Sequence, residues 1–330
     1  MFFITHQTPS AFLQATRNRL DAHQRKLNVI LPHAEKLATA QRAGHSLAPG
    51  QFWITGWSSG NGSNGELEFV LSCTEHHLGT YPLFLVYLRP LPTIPTQTLD
   101  ADMFELAKRL ANIVPPTRVF SFYGQEAPIR ALATHWSSVT GSKPVATPYY
   151  EASSSYCTQQ TLVKGSTLQL PNGHEMRLAR AEDASAIAQL CKEFADDSPP
   201  FTLTPARAMQ EAQYMIKNRS VSVYTIDGIV TTIVAVTRVS ASVAGMTKVY
   251  TTPIYRGRGC AEKLVAHVCR SQLASGMESV VLFVGHTLAA ARVYHRVGFV
   301  GVGPAKSSSY TPDAENWLEI GFHGTTLGHW

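Results

Sequence analysis

This chain of 330 residues lacks several things, and each absence removes a class of protein. No apolar run is long enough to span a bilayer, and the opening Met1-Phe2-Phe3-Ile4-Thr5 is too short an apolar stretch for a signal peptide. Secretion is therefore not expected, and the glycosylation patterns Asn61-Gly62-Ser63 and Asn218-Arg219-Ser220 should be idle. Cysteine is scarce: Cys73, Cys157, Cys191, Cys260 and Cys269 are odd in number and form no C-x-x-C. They read as reduced thiols of a cytoplasmic protein rather than a disulfide framework. Long blocks of like charge are missing too. The net charge of +5 is scattered, a mild field that suits a phosphate-bearing cofactor as well as nucleic acid. Metal-binding spacing is also lacking. His76 and His77 are adjacent and point to opposite faces of an extended chain, and no H-x-x-x-H falls on a helix, so no metal is expected.

What is present is core material. Hydrophobic residues make up 44% and charged residues 15%, enough for two packed domains at this length. Periodicity predicts a helix over 10–41, strands at Phe52–Trp57, Glu66–Cys73 and Tyr81–Leu88, and irregular chain through Pro90, Pro92 and Pro95 until Leu99. Helix, strand, helix and strand follow at 100–113, Arg118–Tyr123, 126–138 and 145–162. After Lys164-Gly165-Ser166 a second unit begins, with a strand at Glu175–Ala179 and helices to Phe194 and over 205–217. Val221–Ile226 and Ile229–Val239 flank Asp227-Gly228, a hairpin signal. Strand Met246–Thr251, a glycine loop, a helix to Ser275, strand Val280–Val284, helix 288–297 and strands Phe299–Val302 and Trp317–Phe322 complete it. Both halves place strands first and helix-strand-helix-strand later, the order expected of two copies of one fold.

The segment Arg256-Gly257-Arg258-Gly259-Cys260-Ala261 carries the strongest chemistry. It joins a strand ending in Thr251-Thr252-Pro253 to a helix. Its glycines permit a tight turn, and successive N–H groups at the helix start suit the oxygens of a diphosphate. Arg256 and Arg258 add charge-assisted contacts.

Here the sequence resembles the GCN5-related N-acetyltransferase (GNAT) superfamily, whose signature is Q/R-x-x-G-x-G/A. Arg256, Gly259 and Ala261 stand at its defining positions. Val249, Tyr250 and Thr251 are similar to the family's fourth strand, whose backbone meets the pantetheine arm. Ala290-x-x-x-Tyr294-x-x-x-Gly298-Phe299 resembles its later helix and turn, and Arg177 to Asp183 its opening strand and helix cap. The likeness spans about 172–323. Thr287 stands where the family often has Asn.

The resemblance implies an α/β (α+β) fold of two GNAT-like domains, each a mixed, mostly antiparallel central sheet flanked by helices. Residues 1–165 would be a degenerate domain and 166–330 the catalytic one. In the first half, Leu20 to Ile30 resembles the opening helix of such proteins, but Arg89-Pro90-Leu91-Pro92 stands where the diphosphate loop should be. Prolines donate no N–H, so that half should not bind CoA. The resemblance further implies acetyl-CoA, or another short acyl-CoA, as co-substrate. The expected reaction is direct attack by a primary amine of a small molecule in a ternary complex. Its alternatives are a protein amine, a hydroxyl or a thiol acceptor, and a non-catalytic acyl-CoA sensor. No nucleic acid or membrane partner is expected, and the protein should act as a monomer or homodimer.

In the family a tyrosine at the place of Tyr294 protonates the leaving thiolate, and the alternative for Tyr294 is a core aromatic whose hydroxyl is hydrogen-bonded. The stretch Ser242–Thr247 offers no acid as base. His286 is the candidate, with an exposed or capping role as its equal alternative, and a water chain is the other candidate base. Asp196 and Asp197 are candidates for contact with a cationic acceptor. Cys260 reads as a small filler. Gly56-Trp57-Ser58-Ser59-Gly60 matches G-x-S-x-G but runs into loop residues rather than a helix, so it is not a nucleophile elbow.

Overall fold

A proline sets the first departure from the periodicity. β1 (Phe2–His6) leads into α1 (Pro9–Leu20), where the Thr8 hydroxyl accepts from the Ala11 N–H at 3.1 Å and Pro9 fills the first turn. The helix expected to run on to 41 stops at Leu20. Two 3-10 turns, Asp21–His23 and Lys26–Val29, intervene before α2 (Leu31–Arg42). Pro32 lacks an N–H and its ring would strike the carbonyl one turn back, so it opens a new helix instead of continuing one. Leu20 to Ile30, likened to an opening helix, is thus the link between two helices.

The structure is a computed structural model that describes residues 1–58, 65–76, 78–163, 170–286, 290–303 and 311–329. His77, the 164–166 linker, and much of the rejected G-x-S-x-G loop lie outside them. The chain continues through β2 (Phe52–Trp57), β3 (Leu67–Cys73), the short pair β4 (Glu75–His76) and β5 (Gly79–Thr80), and β6 (Leu83–Tyr87). α3 (Thr96–Ala111) starts directly after Pro95, earlier than expected, and is followed by β7 (Ser121–Gln125), α4 (Glu126–Thr140) and β8 (Tyr150–Thr158). Then come β9 (His174–Leu178), α5 (Ala184–Asp196), α6 (Pro205–Lys217), β10 (Val221–Ile226) and β11 (Ile229–Val239). Asp227 and Gly228 turn between the last two with φ of 48° and 80°, as a two-residue hairpin requires. β12 (Val243–Thr251), α7 (Cys260–Ala274), β13 (Ser279–Gly285), α8 (Ala290–Val297) and β14 (Asn316–Gly321) complete the chain. Among the described residues no helix is long and apolar enough to cross a membrane.

Contacts divide the chain into two units, Met1–Ala152 with Glu315–Trp330, and Ser153–Ala314. The boundary expected at 165/166 therefore falls earlier, and the tail belongs to the first unit. In that unit the strand order is β1-β2-β3-β6-β7-β14, antiparallel except for the β6–β7 pair. In the second it is β9-β10-β11-β12-β13-β8, again with one parallel pair, β12–β13, among the resolved ladders. Both are mixed, mostly antiparallel sheets with helices, as the sequence suggested.

The strand expected to end the second unit, Trp317–Phe322, instead pairs with β7 in the first, from Trp317 against Gln125 to Gly321 against Ser121. Buried polar groups favour that partner. Glu319 is fully buried and accepts a 2.6 Å hydrogen bond from Ser121 Oγ, and Glu315 accepts from Gln125 Nε2 at 3.0 Å and from Lys26 Nζ at 3.2 Å. A buried carboxylate without such partners would be costly. The expected strand at Phe299–Val302 reduces to a single bridge between Val300 and Tyr156.

Candidate acyl-CoA site

The site is built from a strand that changes face part-way along. β11 and β12 pair in register from Thr232–Thr251 to Ala235–Lys248, slip so that Val236 faces Met246, and slip back at Arg238–Gly245, which leaves Thr247 and Thr237 outside the ladder with their hydroxyls 2.9 Å apart. Such an irregularity, one residue skipped on each strand, inverts the alternation of side chains along β12 while keeping the overall register. Ala244 and Met246 lie in the core beneath α7, together with Leu264, Val265 and Val268. After the bulge it is Val249 that packs on that side. Tyr250 joins the other core, among residues of α5 and α6 such as Ile187, Cys191 and Ala212.

Lys248, on Tyr250's side of the strand, is buried too. It pairs with Glu211 of α6 at 2.9 and 3.1 Å and lies over the Phe194 ring at 4.9 Å. Burial alone would lower the lysine's pKa, but the Glu211 carboxylate and the nearby Cys191 together outweigh it and the pKa is raised. Sequence reading missed this pair. A signal existed: Glu211 falls on the apolar stripe of Ala208, Ala212 and Met215.

On its other edge β12 parts from its neighbour. The parallel pairing with β13 covers Val243–Ser279, Ala244–Val280 and Gly245–Val281 and no further among the described residues. Yet β12 runs on to Thr251 and β13 to Gly285. The two strands therefore splay from Gly245 onward. Among the described residues, backbone groups along Met246–Thr251 on that side have no strand partner, a surface for an extended amide-bearing chain.

The splay opens toward the glycine loop. After Thr251, Pro253–Tyr255 forms one 3-10 turn, and α7 begins at Cys260. Gly257 and Gly259 have φ of 77° and 75°, and nothing lies within 4 Å of where a Cβ would stand on either. The space in front of the loop is open. Lys263 N–H donates to the Gly259 carbonyl, whereas the N–H groups from Gly257 to Glu262 meet no backbone acceptor among the described residues. Unclaimed donors in sequence at a helix start, with the helix dipole behind them, form an anion cradle. Cys260 turns its side chain into the core, 2% exposed, where burial raises the thiol pKa. That suits a filler and not a nucleophile.

The two arginines are engaged already. Arg256 Nε donates to the Thr251 carbonyl at 3.0 Å and its Nη2 to Asp197 Oδ2 at 3.0 Å, with the guanidinium over the Tyr250 ring at 5.1 Å. Arg258 is stacked on Tyr255 at 5.0 Å and exposed. Asp197 Oδ2 also accepts from Tyr250 Oη at 3.1 Å. Burial, and then the hydrogen bond to Asp197, push the Tyr250 phenol up to about 12. The two aspartates therefore differ: Asp196 ends α5 in an exposed pair with Lys192, while Asp197 reaches β12 and the loop.

Tyr294 is nearly buried in the α7 core, edge-on to Phe299 with ring centroids 5.7 Å apart. Ala290, one turn earlier on α8, packs partly against the same core. His286 is exposed, directly past the end of β13. Thr287 lies outside the described residues. At the entry of the unit, Arg177 holds Asp183 through two hydrogen bonds of 2.6 and 3.0 Å, and Asp183 accepts from the Arg180 N–H at 2.7 Å.

Residues 217–301 match the acetyltransferase (GNAT) domain family, and this interval holds β10 to β13, the bulge, the splay and the loop. That match lies within the second unit. Solved structures with a similar fold cover nearly the whole chain. A GCN5-related N-acetyltransferase from Sphaerobacter thermophilus is 17% identical, covering 96% of this chain and 94% of its own, with a TM-score of 0.52. A GNAT-family acetyltransferase from Colwellia psychrerythraea is 13% identical over 98% and 99%, at 0.53. A Drosophila protein is 12% identical over 95% of both, at 0.62. At such identities the likeness is one of fold. Among curated proteins none matches this sequence. The described residues hold no group of three or more His, Cys, Asp or Glu side chains placed to bind a metal ion.

Proposed function

We propose that the GNAT unit transfers an acetyl group from acetyl-CoA to a primary amine of a small molecule, by direct attack while both are bound. The observation that carries this reading is the splay of β12 from β13 beyond Gly245, ending at a loop of unclaimed N–H groups. The residues present fit the donor. The loop from Gly257 to Ala261 suits its diphosphate, and the open edge of β12 along Val249, Tyr250 and Thr251, where Arg256 holds the Thr251 carbonyl, suits the amides of its pantetheine arm.

In this reading the amine nitrogen attacks the thioester carbonyl, the C–S bond breaks, and the thiolate takes a proton from Tyr294. His286, or water leading from it, accepts the proton that the amine loses. Backbone N–H groups along β12 stabilise the oxyanion, their fixed direction costing no reorganisation during the reaction. Lys248 and Glu211 neutralise one another and brace α6 against β12, so neither is assigned a proton.

Thiol release from acetyl-CoA, measured across a panel of primary amines, tests the proposal. Release with at least one amine supports it. Tight CoA binding with no release for any amine, peptide, hydroxyl or thiol acceptor would show an acyl-CoA sensor instead.

A further inference from the structure

One arginine touches both halves of the proposed site. Arg256 sits immediately before Gly257 of the diphosphate loop, yet its Nη2 is spent on Asp197, in the turn after α5. Asp197 Oδ2 receives this donor and the Tyr250 hydroxyl together. Arginine and aspartate are about half exposed, at 50% and 58% of the side chain, so the pair is reversible. A diphosphate at the loop would offer the same guanidinium charged oxygens in a geometry that suits its planar fork.

We propose that Arg256 is a latch with two alternative partners, Asp197 before the acyl-CoA arrives and the donor's diphosphate afterwards. This rests on the reading of the loop as a CoA site. Opening the latch leaves the Asp197 carboxylate with Tyr250 alone and frees a negative charge beside β12 for a cationic acceptor. Donor binding thereby prepares the acceptor side, and the coupling runs both ways, as linkage demands.

Calorimetric affinities of CoA and of pantetheine, which lacks the diphosphate, test this. Asp197→Asn keeps an acceptor for Tyr250 but removes the charge that holds Arg256. It should tighten CoA about two- to fivefold, the range of an exposed ion pair, and leave pantetheine unchanged. Arg256→Gln should weaken CoA, and Asp197→Asn added to it should change nothing further. Should Asp197→Asn leave CoA affinity as it was, weaken it, or tighten it equally in the Arg256→Gln background, the latch is overturned. The last outcome would mean simple charge repulsion. Thermal melts check that each variant is folded, and hydrogen exchange at 197–204 in the wild type gives a second measure. Exchange there rises on adding CoA if the latch opens and stays flat if it does not. Failure of the wild type to bind CoA at all would instead remove the reading of the loop itself.

Discussion

Gln125 takes both backbone groups of Tyr87, its Nε2 donating to the carbonyl at 2.8 Å while its Oε1 accepts from the N–H at 2.9 Å. The pairing of β6 with β7 covers Leu83–Phe122 to Leu85–Gly124, the same short parallel ladder that β12 makes with β13. Beyond it, in the first unit, a side-chain amide occupies the edge that the second unit leaves open. Proline at 90 and 92 removes loop donors, and Gln125 closes the arm's edge as well.

Gln125→Ala should therefore lower stability by about 1–3 kcal/mol, the cost of leaving buried backbone groups unmatched. On the proposed reading, the variant should bind one CoA per chain, as the wild type should. Denaturant melts and calorimetric titration give both numbers, and a second bound CoA would contradict this account.

Tyr294→Phe keeps the ring against Phe299 and removes only the hydroxyl. Loss of a general acid should reduce kcat by about 10²-fold or more, with CoA affinity unchanged. Steady-state kinetics beside direct CoA binding separate this from a packing role, which would shift the melt and not the chemistry.

Gly259→Ala adds a Cβ that meets nothing within 4 Å, so the penalty is purely conformational. Forcing alanine to a φ near 75° costs about 1–2 kcal/mol. The loop should relax and CoA affinity should fall roughly tenfold. An unchanged Kd would show that the loop's shape does not govern binding.

Burial of Asp183 alone would raise its pKa, but the Arg177 hydrogen bonds and the Arg180 N–H lower it below the usual carboxylate value. A carboxylate held below its unfolded pKa stabilises the fold above that unfolded value, near 3.9, and loses its contribution as pH falls through the folded pKa. Asp183→Asn should thus lower Tm at pH 7. The gap to the wild type should narrow as the pH falls below about 4, and melts from pH 7 to 3 would show it.

The glycine loop, Tyr294 and the two-copy order of elements were legible because each depends on local chemistry: φ above zero at Gly257 and Gly259, spacing along a helix, strand and turn composition. Three features were not. Pro32 was visible, but the apolar run around it still reads as a single helix. Thr247 looks like any strand residue, and only the ladder with β11 and the two cores show that it is skipped and that Tyr250 has changed sides relative to Met246. Asp197 could be named as an acceptor contact, yet its hold on Arg256 depends on residues far apart in sequence meeting at the end of β12.

The return of β14 to β7 has a consequence for synthesis. The first sheet lacks its last strand until Gly321 has left the ribosome, and β8, which borders β13, is made before the rest of the second sheet exists. Neither unit is complete at a cut near residue 165, so separately expressed halves would each expose an unpaired strand edge. A break in the chain near residue 165 thus leaves each sheet one strand short.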